Sequence, residues 1–287
     1  GYELIAIGDS ALEANTTGIS NVAIGEDAMK ANTTGDYNTA VGGNAMIAST
    51  TGDSSTGIGY NALTAQTTGQ YNTAVGSAAL ATLTTADNNT AVGRNAGLSI
   101  TDGHTNTAIG SEALDALTTG DENVAVGHGA LTAATTANGN TAVGTDALKA
   151  VTTQGYNTAV GYNAMLVATS ASGNSAFGNQ CLDALTTGDY NTGVGAAALG
   201  ATTTGEENVA VGYNALDSNT TGSYNIGIGT NTIQANTTTN YNIGIGRNAL
   251  YANTASENVA IGPFALDANT TGGNLVGVGY NVLGANT

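Results

Sequence analysis

Positive charge is almost missing from this chain. Four Lys and Arg (Lys30, Arg94, Lys149, Arg247) stand against 21 Asp and Glu, a formal net charge of −17. Nucleic acid is excluded as a partner, because binding it needs clustered cations that release counterions from phosphate. Anionic membrane surfaces are disfavoured for the same reason, and spread-out acidic charge reads as a device for solubility. Trp is absent and Phe occurs twice, so any core is built from small and β-branched side chains. The single cysteine, Cys181, excludes an intramolecular disulfide and any zinc site made of cysteines. No run of about 18 apolar residues exists, so there is no helical membrane insertion. There is one proline, Pro263, and there are only two histidines, His104 and His128.

What is there is a repeat. The stretch Asn38-Thr39-Ala40-Val41-Gly42 recurs from end to end, and its closing glycine falls at Gly8, Gly25, Gly42, Gly59 and on to Gly279. That makes 17 copies spaced by 17 residues, with one 16-residue step before Gly262. A fixed period of this size marks a repeat architecture in which each unit buries its apolar surface only against its neighbours. The domain expectation is one continuous repeat domain over 1–287.

Numbering each copy from Asn38 as position one turns the chain into columns. Position one is Asn in 14 of 17 copies, the exceptions being Leu4, Ser55 and Leu275. Position three is only Ala or Gly, position four is Val or Ile with Phe177 once, and position five is always Gly. Position eight is Ala except at Cys181, Thr232 and Val282, and position nine is Leu, Met or Ile except at Gly97. Position thirteen is Thr throughout. Positions six, seven, ten, twelve, sixteen and seventeen vary freely, which reads as exposure to water.

β-Branched enrichment with glycine at fixed places predicts short strands joined by tight turns. A 17-residue helical hairpin is too short for a solenoid unit, which leaves an all-β fold: a β-solenoid of about 17 coils. At the inter-strand spacing of about 4.8 Å such a stack runs roughly 80 Å. The glycine at position five is expected at φ > 0. Stacked Asn at position one is expected to hydrogen-bond from amide to amide, as in cross-β ladders. Thr at position thirteen is expected either to do the same with hydroxyls or to cap carbonyls at a turn. Positions two and four share one face of the strand and positions one and three the other, yet both faces are restricted. A strand restricted on both faces reads as buried on both. One face lines the coil, and the other is expected to meet a second layer, most simply another copy of the chain.

The residues offer little chemistry. A catalytic triad needs His held by a carboxylate beside a nucleophile, but His104 and His128 fall at different variable positions. Glu206-Glu207 and Glu26-Asp27 are isolated pairs rather than columns, with no cleft between carboxyls of the kind glycoside hydrolysis needs. No position is consistently Asp, so calcium of the β-roll type is not expected. The chain therefore reads as no enzyme, with no cofactor and no metal. Cys181 reads as a small buried residue. Asn15, Asn32, Asn219, Asn236 and Asn269 at position twelve, and Asn88 elsewhere, fit the N-glycosylation acceptor pattern. Tyr37, Tyr71, Tyr156, Tyr190, Tyr224 and Tyr241 at position seventeen, with Tyr60, Tyr162, Tyr213 and Tyr280 at position six, offer aromatic area suited to glycan or protein contact. The Thr rows at thirteen and fourteen raise ice binding, although adjacent residues of an extended strand cannot face one way.

The core motif, quoted from Asn208-Val209-Ala210-Val211-Gly212-Tyr213-Asn214-Ala215-Leu216, resembles the β-roll head repeats of trimeric autotransporter adhesins. It resembles equally the N-T-A-V-G-Y-N-A-L repeats of phage tail-fibre and related surface fibre proteins. The resemblance covers the whole chain, and the adhesin heads use a shorter coil. It implies a left-handed roll, three chains side by side, and an extracellular or cell or virion surface location.

The repeat is already under way at Gly1, without an initiator Met, which reads as a processed product or a piece of a longer array. Leu replaces Asn at position one only at Leu4 and Leu275, a candidate end-to-end joint. The functional expectation is a structural, non-enzymatic fibre or filament segment built by coil stacking and self-assembly. The alternative is a surface-binding module for glycan, cell surface or ice that uses the Tyr, Asn and Thr columns.

Overall fold

The computed structural model describes residues 3–284, and it is a β-solenoid with a 17-residue coil and no helix among the described residues. Each coil contributes one three-residue strand made of positions two to four. The chain forms two compact units, Gly1–Asn140 and Thr141–Thr287. The first holds β1 (Ile5–Ile7) to β8 (Val124–Val126), and the second β9 (Thr141–Val143) to β17 (Val276–Val278). Inside each unit successive strands pair in parallel, column on column. Thr39 lies against Thr56, Ala40 against Gly57 and Val41 against Ile58. The ladder leans both ways, as parallel pairing requires: Thr39 N–H donates to the Ser55 carbonyl at 2.9 Å, and Gly42 N–H to the Ile24 carbonyl at 2.7 Å.

The invariant glycine does two things at once. Gly42 sits at φ +136°, and a Cβ placed on it would lie 2.5 Å from the Gly59 carbonyl oxygen of the next coil. The expected positive φ is present, and the close approach of backbone to backbone adds a second reason for glycine at that place. Less expected is position nine. Leu63, Met46 and Leu114 are fully buried and carry φ of 51°, 53° and 53°, a left-handed conformation that bulky residues rarely adopt. Except in the coil with Gly97 and in the last coil, the turn after the strand is thus held in an unfavourable backbone state by the burial of one large side chain.

The interior is narrow. Ala at positions three and eight, the large residue at nine and the side chain at twelve fill it, as with Ala40, Ala45, Met46 and Ser49, all at zero exposure. Two column assignments change as a result. Position twelve faces the interior and not water. Asn32, Gln66, Leu83, Ile100, Leu117, Val151 and Thr202 are all buried there. Its variability is therefore variation among enclosed residues rather than a sign of exposure. In the coil where position nine is Gly97, a Cβ would stand 3.0 Å from Ile100 Cδ1, so the large residue at twelve occupies the space left at nine. Position seven, also read as exposed, is half-buried at Asp27, Asn44 and Asn61, with φ near 55°.

Polar columns hold the coils together. Asn106 Nδ2 donates to Asn89 Oδ1 at 3.2 Å and to the Gly120 carbonyl at 2.8 Å. Its Oδ1 accepts the Asn123 backbone N–H at 3.0 Å and Asn123 Nδ2 at 3.1 Å. The amide ladder is present as expected, in both units, and Asn157 to Asn225 repeat it in the second. The Thr column takes the carbonyl-capping form: Thr118 Oγ1 donates to the Thr135 carbonyl at 2.9 Å, and Thr186 Oγ1 to that of Thr203 at 2.9 Å. A third ladder was not visible in the sequence. At position sixteen the side chain of one coil accepts the backbone N–H of the coil before it. Asp53 does so from Asp36, Asp87 from Gln70, and Asp189 from Ser172, each at 2.7 Å.

Candidate functional site

The strand faces resolve in an unexpected sense. Position three, the small residue, points inward at zero exposure, while positions two and four point outward. The coil is too narrow to hold Val or Ile on that wall, because the residues at eight and nine already reach it. The large aliphatic side chains are therefore displayed on the outside of the parallel sheet. Ile58, Ile109, Val194, Ile228 and Ile261 are each 39% exposed. One face of the strand is enclosed by the coil, and the other, expected to be covered by a second layer, is bare in the single chain.

That outer face varies along its length. In β3 (Thr39–Val41), β4 (Thr56–Ile58), β5 (Thr73–Val75), β6 (Thr90–Val92) and β7 (Thr107–Ile109) position two is Thr. In β13 (Val209–Val211), β14 (Ile226–Ile228), β15 (Ile243–Ile245) and β16 (Val259–Ile261) both outward positions are aliphatic. No charged residue occupies positions two or four in any coil.

Tyrosines rim this face, position seventeen preceding the strand and position six following it. They stand well out, from 42% exposed at Tyr224 to 76% at Tyr280. Tyr224 and Tyr241 stack at 5.0 Å between ring centroids, with planes 4° apart. Glu207 and the neighbouring Tyr241 push the Tyr224 hydroxyl up from its ordinary value. Some rings lean on the preceding coil: a Cβ on Gly43 would lie 3.5 Å from the Tyr60 ring, and one on Gly173 would lie 2.8 Å from Tyr190.

The glycan acceptors divide sharply. Asn32, Asn219, Asn236 and Asn269 are fully buried, their amides donating into the coil, as Asn219 Nδ2 does to the Gly222 carbonyl at 2.9 Å. Asn15 is half-buried and bonded to Gly18 in the same way. Only Asn88 offers its side chain to solvent, on a left-handed turn at φ 62°. Leu4 is 36% exposed and Leu275 half-buried, and they lie in separate units.

His104 and His128 are exposed. His104 takes the place of an acid in the position-sixteen ladder, its Nδ1 accepting the Asp87 N–H at 3.0 Å. Cys181 is buried, and burial pushes its thiol up to about 12, so it is neutral and shielded. Glu206 and Glu207 are exposed, as is Glu26, while Asp27 is held by Lys30 at 3.0 Å.

One carboxylate pair does converge, and sequence reading passed over it. Asp183 and Asp217 occupy position ten two coils apart, with Gly200 between them at the same position. A Cβ on Gly200 would sit 2.8 Å from Asp217 Oδ1 and 3.7 Å from Asp183 Oδ1. They line an open notch of about 360 Å³ with Gln180, Ala197, Ala201 and Ser218. Partial burial raises both carboxyls above the ordinary range. Among the described residues no three His, Cys, Asp or Glu side chains are grouped to hold a metal, and no helix is long and apolar enough to cross a membrane.

Compared with known proteins, the chain matches no protein-family model and no curated sequence.

Proposed function

We propose that this chain is a structural, non-enzymatic module, a segment of an extracellular fibre, filament or adhesin-like head that assembles with copies of itself. The observation that carries the reading is where the polar groups go. The Asn, Thr and position-sixteen ladders are directed at the neighbouring coil and not at a cleft, while the apolar side chains left over form an outward strip on each unit. Such a division suits a part that must be stiff along its stack and sticky along one side. The likeness of the N-[TVI]-A-[VI]-G-x-N-A-L core to surface-fibre repeats points the same way, to a cell or virion surface.

Deletion of one whole coil, residues 72–88, tests the structural reading. Every column is preserved across that cut, so the deleted chain is expected to fold with unchanged circular dichroism and to form the same particles under the electron microscope. Loss of folding on removing one coil would refute it.

A binding role for the tyrosine rims is the second reading, favoured by their high exposure. A glycan array probed with the intact chain, against a variant with Tyr156, Tyr162, Tyr190 and Tyr213 changed to Ser, decides it. The same Thr-row argument that raised ice binding loses force, because the position-thirteen hydroxyls are bonded within the stack.

A further inference from the structure

We infer that the outer face of β13 to β16 is an interface for a second copy of this chain, laid parallel and in coil register. The inference rests on the structural, self-associating reading above and adds the patch, the orientation and the pairing residues.

Three observations select this patch. First, it lies within the longest run of coils in which both outward columns are aliphatic, β13 to β17: Val209, Ile226, Ile243 and Val259 beside Val211, Ile228, Ile245 and Ile261, with Val276 and Val278 of β17 continuing it. The position-four residues are 36–39% exposed, and the position-two residues are partly exposed beside them. With about 100 Å² from each coil and a similar area from each of Tyr213, Tyr224, Tyr241 and Tyr280, one copy offers roughly 800 Å², the share each partner gives to a stable interface. Second, the patch carries no charge of its own, and the aromatic side chains at its rims match the composition of interface cores.

Third, the rims carry complementary charge. Arg247, at position six, forms no ion pair among the described residues, whereas Lys30, Arg94 and Lys149 each sit beside a carboxylate. Its guanidinium instead lies 5.6 Å above the Phe264 ring, exposed at the edge of the patch. On the opposite rim, at position seventeen of the adjacent coil, Glu257 is also exposed. Turning a second copy about the stacking direction and placing it face to face brings position six of each copy opposite position seventeen of the other. Arg247 of each then meets Glu257 of the other, and the contact is self-complementary, as a two-fold interface requires. Turning the copy about the strand direction instead sets each rim against its own kind, so Arg247 no longer meets Glu257.

Light scattering on the full chain, at tens of micromolar, reads the result. The wild type is expected at twice the chain mass, and I228E/I261E at the mass of one chain with an unchanged circular dichroism spectrum. T73E/T107E, the same charge added to the hydroxyl-bearing coils, is expected to leave the pairing intact. A gentler variant guards against misfolding: I226T/I243T/V259T copies the pattern of β3 to β7 and is expected to weaken pairing at least tenfold. R247E is expected to weaken it severalfold, and R247E/E257R to restore it. A wild-type chain that stays at single mass, or an I228E/I261E chain that still pairs, overturns the interface. Failure of the charge swap to restore pairing overturns the parallel register. The coil-deletion experiment is independent of all these, so a failed interface is distinguishable from a failed structural reading.

Discussion

Gly193 and Cys181 make the sharpest test of how the interior is filled. Cys181 holds position eight of its coil, where Ala is usual, and Gly193 holds position three of the next, where Ala is also usual. A Cβ on Gly193 would stand 2.4 Å from Cys181 Sγ, far inside any ordinary contact, and both sites are enclosed. Gly193→Ala alone is therefore expected to cost about 1–3 kcal/mol by overpacking. Cys181→Ala alone leaves a small void and is expected to cost about 1 kcal/mol. The double variant rebuilds the Ala–Ala pairing that neighbouring coils already use. It also gains about 0.5–1 kcal/mol from replacing a strand glycine, so it is expected to match or exceed the wild type. Cys181 is the chain's only thiol and is neutral while buried, so thiol labelling of the native protein reports opening of that coil. At about 1.4 kcal/mol per tenfold, a 2 kcal/mol clash raises the labelling rate roughly thirtyfold in G193A. Thermal melting, which needs no thiol, follows the other two variants. Wild-type labelling in G193A, or failure of C181A to rescue it, would refute the compensation argument.

Three further outcomes follow from named contacts. Asn106→Ala strands the Gly120 carbonyl and the Asn123 amide inside the coil and is expected to cost about 2–4 kcal/mol, read as a fall in melting temperature. Thr118→Val removes a hydroxyl bonded to the Thr135 carbonyl and is expected to cost about 1 kcal/mol. Thr90→Val, on the outer face where the hydroxyl makes no bond among the described residues, is expected to be neutral; equal losses in the two would contradict the column assignment. Asp183→Asn with Asp217→Asn addresses the notch. Partial burial raises both carboxyls, so the folded state binds protons more readily than the unfolded one. The wild type is therefore penalised above the carboxylate range and relieved as pH falls through it. The double variant is expected to melt higher than the wild type at pH 7, with the difference vanishing in acid, and a lower melting point at pH 7 would give those carboxylates a favourable role instead.

Much of this architecture is legible in the columns. The period, the strand at positions two to four, the positive φ of Gly42 and its equivalents, the Asn ladder and the burial of Cys181 all follow from which residue types each column admits. Three features were not legible, each for a physical reason. Val41 and its equivalents look like core because they are large and apolar, but the coil is too narrow to take them, so Ala40 goes in and Val41 goes out. Position twelve looks exposed because it admits Asn, Leu, Gln and Ile, but all of these are enclosed by the coil, the polar ones through hydrogen bonds to backbone carbonyls. The pairing of Asp183 with Asp217 depends on stacking two coils apart across Gly200, which no local motif announces.

The direction of the amide ladder has a consequence of its own. Along most of the column in each unit, an Asn takes the backbone N–H of the next Asn on its Oδ1 and sends its own Nδ2 onward to the carbonyl three residues before that N–H, whereas Asn242 turns back to the Thr239 hydroxyl. The stack is therefore polar, like a row of identical arrows. A break between any two coils leaves one surface that lacks donors for its Oδ1 atoms and one that lacks acceptors for its N–H groups. Two such surfaces rejoin in one sense only. Whole coils can accordingly be inserted or removed without disturbing the pattern, whereas a coil entered backwards breaks the Asn column at both of its faces.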